Sequence, residues 1–135
     1  PNLKSDKILN FSNRVEGFLS GKSIEKRFNE RFKEKISAKE IFKRYRGNDA
    51  NTTLFINEYK EILSRCLVII ITTLDPDAIV FGGGISNEID FLDEIKKKTS
   101  IFVNEPNLKT VFLKPKYGDA SGVRGAAILS RQNSI

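Results

Sequence analysis

A helix-rich α/β fold built around one short parallel strand pair is predicted by three observations. Ile79, Val80 and Phe81 form an apolar, β-favouring run too short for a helix, bounded by Pro76 on one side and Gly82-Gly83-Gly84 on the other. Thr110-Val111-Phe112-Leu113 is a second such run, closed by Pro115. Between them, residues 87–103 read as a helix, with Glu88, Asp90, Asp93 and Glu94 early and Lys96, Lys97 and Lys98 late, in the sense that suits the helix macrodipole. Strand, helix and strand in that order imply parallel pairing with a right-handed crossover.

The remaining elements follow from period and punctuation. Residues 1–14 have no clear period and are expected to be an irregular lead-in to a single domain over residues 15–135. Ser20-Gly21 punctuates the chain, and a helix is expected over residues 22–32, where Ile24, Phe28 and Phe32 recur every four residues and Ile36 continues the series. A second helix is expected over residues 38–45, with Ile41, Phe42 and Tyr45 on one face. Gly47-Asn48-Asp49 breaks it and offers a cap for the longest helix, residues 50–74. Phe55, Tyr59, Ile62, Leu63, Cys66, Leu67, Ile70 and Leu74 keep the three-and-four spacing of one buried stripe there. The last turns, Leu67 to Ile71, are apolar all round, so that end is expected in the middle of the structure. A last helix is expected over residues 120–131, where Gly122, Gly125, Ala126 and Ala127 leave one face nearly bare. Two strands beside five helices leave a sheet edge unpaired, which points to a missing piece.

Composition excludes several classes. The chain has 135 residues, of which 39% are hydrophobic, enough for one domain that buries about two-thirds of the surface its unfolded form exposes. No apolar run approaches the ~20 residues needed to cross a bilayer, and residues 1–13 lack the apolar block of a secretory signal. A single cysteine rules out an internal disulfide and fits the cytoplasm. Pro1 is the kind of small residue left when an initiator methionine is removed, which leads to the expectation of a complete short product. The net charge of +6 is concentrated: residues 22–46 hold ten Lys or Arg against four Glu, and the rest of the chain is balanced. Because Glu25, Glu30 and Glu34 are mixed among these cations and the aromatics fall on the core stripe, the segment reads as a solvated helix face. It does not read as a nucleic-acid surface.

The glycine run carries the chemistry. Three residues without a Cβ leave bare backbone that another group can approach closely, and a strand, a glycine turn and a helix N-terminus together seat a nucleotide well. A tight strand-to-helix turn with no ligand is the alternative reading of these glycines alone. Gly21-Lys22-Ser23 is not a P-loop, since Glu16 stands where its first glycine belongs and no strand precedes it.

Three segments taken together are more specific. In this order and spacing, Val15-Glu16-Gly17-Phe18-Leu19-Ser20-Gly21, the run from Asp75 to Ser86 and the run Lys116-Tyr117-Gly118-Asp119-Ala120-Ser121-Gly122-Val123-Arg124-Gly125-Ala126-Ala127 resemble the C-terminal half of ROK-family sugar kinases. The resemblance implies a partial C-terminal lobe of the actin-like, ribonuclease H-like ATPase fold. It places Gly82, Gly83 and Gly84 at the adenosine of ATP, with Gly118 and Asp119 starting the last helix of the same lobe, and it makes Glu16 an acceptor for sugar hydroxyls. Asp119 keeps three readings: a helix cap, a solvent-exposed acid, or a group near the phosphates. ATP and Mg²⁺ are implied as cosubstrate and cofactor, a hexose as substrate, with the fructokinase or mannokinase branch first and N-acetylglucosamine kinase next.

The chain also departs from that pattern. Many such kinases hold a zinc ion through a histidine and several cysteines just before the residue matching Glu16. This chain has no histidine and no cysteine before Cys66, so no zinc is expected. No Asp-x-Gly-x-Thr segment is present, so the phosphate loop and the catalytic aspartate are missing and no catalytic residue is assigned. The expectation is therefore the C-terminal part of a sugar kinase, either the second half of a split enzyme paired with a complementary N-terminal chain or a decayed remnant. The alternatives are a non-catalytic sugar- or nucleotide-binding remnant, a homodimerising module, or a regulator of the repressor kind that the same family contains.

Overall fold

The computed structural model describes residues 16–118 and Ile128. It begins with a one-turn helix, α1 (Glu16–Leu19), just before the break at Ser20-Gly21. Three longer helices then start in the same way. Ser20, Ser37 and Asp49 each adopt extended backbone, and each side-chain oxygen accepts the amide three residues on, from Ser23, Glu40 and Thr52, at 3.3, 3.2 and 2.9 Å. These caps satisfy backbone donors that a helix leaves free at its start. They open α2 (Gly21–Phe32), α3 (Ala38–Arg46) and α4 (Ala50–Leu74). Lys33 and Asp75 stop α2 and α4 in the left-handed region, with φ of 57° and 43°.

The turn from α2 to α3 is held by one side chain. Asn29 Oδ1 accepts the Ile36 amide at 3.0 Å, and Asn29 Nδ2 donates to the Ile36 carbonyl at 2.9 Å. The four-residue stripe read from the sequence is the one buried: Ile24 and Phe28 are fully inside, and Phe32 and Ile36 pack against them. Ile41 and Phe42 of α3 close the same core.

β1 (Ala78–Val80) and β2 (Val111–Leu113) pair in parallel, Ala78 opposite Val111 and Val80 opposite Leu113, with α5 (Leu92–Phe102) between them in sequence. Side chains alternate as a pleat requires. Ile79 and Phe112 pack on the core, while Val80, Val111 and Leu113 face outward. Parallel sheets are normally covered on both faces.

Three expectations are corrected here. The C-terminal end of α4 is not central: Ile69, Ile70 and Leu74 are 65%, 40% and 70% exposed. The buried stripe of α4 runs instead through Thr52, Phe55, Ile56, Tyr59, Lys60, Leu63, Ser64, Leu67 and Ile71, leaving Ile62 and Cys66 only half-buried. The helix expected from residue 87 begins at Leu92, so Glu88 and Asp90 lie outside it and the lysines fall in its middle. The expected lead-in over residues 1–14 and the expected last helix lie outside the described residues, except that Ile128 is helical. Among the described residues, no helix is long and apolar enough to cross a membrane.

Candidate functional site

The bare backbone predicted at residues 82–84 is present and open. All three glycines are exposed, and a Cβ built on any of them would meet no atom within 4 Å. Gly83 has φ of +98°, a conformation in which a side chain is strained whatever the space around it. The glycines do not open onto a helix N-terminus, however. The Ser86 amide donates to the Gly83 carbonyl at 3.0 Å and the Glu88 amide to the Ile85 carbonyl at 2.9 Å, giving a string of turns before α5. The reason is burial: Ile85, Ile89 and Phe91 are inserted into the core, and Phe91 packs against the rings of Phe42, Tyr45 and Tyr59. This turn therefore offers shape and free backbone rather than a helix dipole.

The third segment reaches the same place. Gly118, with φ of +59°, lies so close to Asn87 that an added Cβ would fall 2.8 Å from Asn87 Oδ1. Gly118 thus adjoins the segment that follows the glycine turn. Asp119 lies outside the described residues.

Glu16 is the first residue of α1. That short helix is tied down at its carbonyl end: Arg27 Nη1 donates to the Phe18 carbonyl at 3.3 Å and the Tyr59 hydroxyl to the Leu19 carbonyl at 3.4 Å. The Arg27 guanidinium also lies over the rings of Phe18 and Phe55, and its burial holds its pKa below the usual arginine value. These contacts anchor the short helix that begins with Glu16.

Sequence reasoning missed a polar cluster between α3, α4 and α5. Lys60, with its side chain 2% exposed, donates to Glu94 Oε2 at 2.6 Å and to the Tyr45 hydroxyl, and its ammonium lies over the rings of Tyr45 and Phe91. Burial alone would lower its pKa, but the Glu94 carboxylate and the Tyr45 hydroxyl offset that and hold it above the ordinary lysine value. The signal was available, since residue 60 lies on the same face as Ile56, Leu63 and Leu67. A lysine on a buried stripe needs a partner. Arg46 of α3 adds a bond to Glu88 at 3.0 Å. Cys66, read as a core residue, is half-buried, and burial pushes its thiol pKa up.

The ROK family profile matches residues 12–133. The chain belongs to the ROK family. Among curated relatives, the N-acetyl-D-glucosamine kinase of Mannheimia succiniciproducens is 39% identical over 116 residues, covering 85% of this chain and 38% of that protein. The N-acetyl-D-glucosamine kinase of Erwinia tasmaniensis is 35% identical over 115 residues, with the same coverage of 85% and 38%. The crystal structure of the ROK hexokinase from Thermus thermophilus superposes with a TM-score of 0.70 at 16% identity, covering 84% of this chain and 39% of the other. The fold of this ROK chain is therefore that of part of an actin-like sugar kinase. The chain spans about two-fifths of the length of the relatives it matches.

Proposed function

We propose that this chain supplies the C-terminal lobe of an ATP-dependent hexose kinase of the cytoplasm, and that its substrate is an N-acetylhexosamine or a related hexose. The observation that carries the reading is the open backbone at Gly82–Gly84, adjoined through Asn87 by Gly118, in a chain of this family. The names of the relatives favour N-acetylglucosamine over fructose. In the proposed reaction the sugar hydroxyl oxygen bonds to the γ-phosphorus, the bond from that phosphorus to the ADP oxygen breaks, and the hydroxyl proton passes to a base outside this chain. Gly82, Gly83, Gly84 and Gly118 would face the adenosine, Asp119 the phosphate side, and Glu16 would accept two sugar hydroxyls. Magnesium, when bound, would neutralise phosphate charge. Among the described residues no group of three His, Cys, Asp or Glu side chains could hold it, so no step is routed through it.

The test mixes this chain with a complementary N-terminal segment carrying an Asp-x-Gly-x-Thr phosphate loop and assays ATP-dependent phosphorylation of N-acetylglucosamine, glucose, mannose and fructose. Turnover only in the mixture supports a split kinase. Saturable ADP binding by this chain without turnover in any mixture supports the second reading, a non-catalytic sugar- or nucleotide-binding module.

A further inference from the structure

We infer that Gly21 is a positioning residue for the glycine turn at residues 82–84 and acts through Ile85. The inference rests on the nucleotide reading above for its consequence, although its geometry stands alone. Gly21 is the first residue of α2, and it follows α1, which carries Glu16, by one residue. A Cβ at Gly21 would lie 2.6 Å from Ile85 Cγ2, closer than carbon atoms can approach. Ile85 directly follows Gly84, is 8% exposed and has the stiff χ1 of a β-branched residue, so it has little freedom to swing aside. Its carbonyl accepts the amides of Glu88 and Ile89, and the neighbouring Ser86 amide is bonded to Gly83. Any push on Ile85 therefore arrives at Gly83 and Gly84.

The lack of a side chain at Gly21 is not explained by backbone conformation. Its φ lies outside the left-handed region, and it occupies a helical position where alanine is the better residue. What requires glycine is the seat for Ile85. The same contact joins the helix start behind Glu16 to the turn proposed for the adenosine, so it sets the spacing between the two proposed subsites.

The test is a double-mutant cycle on the full chain, read by amide resonances of Gly82, Gly83 and Gly84 and by ADP titration. Gly21→Ala should shift those resonances, far from the substituted residue in sequence, and weaken ADP binding about tenfold, while helix content is retained. In the Ile85→Ala background, where the obstructing methyl is gone, Gly21→Ala should add no further shift and change ADP affinity less than about twofold. Ile85→Ala alone removes the strut without crowding, so it should itself move the three glycine resonances even if Gly21→Ala does not fold. Unmoved glycine resonances in either single variant, or strictly additive effects in the double variant, would overturn the inference. A wild-type chain that ignores ADP would instead remove the nucleotide reading, with the resonances still deciding the role of Gly21.

Discussion

The ammonium of Lys60 lies 2.6 Å from the carboxylate of Glu94, joining the middle of α4 to the first turn of α5. Only one partner is buried, since the Lys60 side chain is 2% exposed and that of Glu94 60%. The asymmetry makes the two deletions unequal. Glu94→Ala leaves the buried ammonium with only the Tyr45 hydroxyl and two ring faces, and is expected to cost about 2 kcal/mol in denaturant unfolding. Lys60→Met leaves a carboxylate that water can solvate and fills the stem volume, so it is expected to stay within about 1.5 kcal/mol of wild type. Equal losses from both would sink this account.

The same pair gives a pH dependence. The folded-state pKa of Lys60 is raised, so the stability it contributes is complete below the ordinary lysine value of 10.5 and is lost as pH rises through the higher folded value. Stability measured from pH 8 to pH 12 should fall less steeply in Lys60→Met than in wild type, in the strongly alkaline part of that range.

The glycines at 82–84 separate binding from folding. Gly82→Ala and Gly84→Ala place a methyl group in open space without a positive φ, so thermal unfolding should move by less than about 0.5 kcal/mol. Gly83→Ala meets no atom either, but its φ of +98° should cost about 1–2 kcal/mol. If the turn holds a nucleoside, Gly82→Ala or Gly84→Ala should weaken ADP binding about tenfold at unchanged stability. Calorimetry beside a melting curve checks both halves of the prediction.

Ile69, Ile70 and Leu74 at the end of α4, with Val80, Val111 and Leu113 on the outer face of the strand pair, leave large apolar side chains in water. Such surface is a self-association hazard. Leu74→Glu, at a residue 70% exposed, should reduce light scattering at high concentration and leave the unfolding midpoint of the chain nearly unchanged. A large drop in stability would mean that Leu74 is covered in solution.

The pattern of what the sequence revealed is physical. The bounds of α4 were readable at both ends because Asp49 is a strong cap and Asp75-Pro76 a strong stop, and the strands were readable because proline and glycine bracket them. The start of α5 was misread because Glu88 and Asp90 suggested an acidic first turn, while Ile85 and Ile89 are drawn into the core from turns. The end of α4 was misread because an apolar circumference implies a cover, and the described residues supply none there. Lys60 went unnoticed because its residue type suggested water while its position on the helix demanded burial. Of the site, the bare backbone at Gly82–Gly84 was legible, because the lack of a side chain follows from residue type. The contact between Gly21 and Ile85 was not, since nothing in either segment encodes the sixty-odd residues of chain that bring them together.

Asn87 and Gly118 touch across α5 and β2, so the segment that follows the glycine turn is fastened to the one that follows β2. Neither segment can move far without the other. Any displacement of residues 82–87 should therefore carry Gly118 with it.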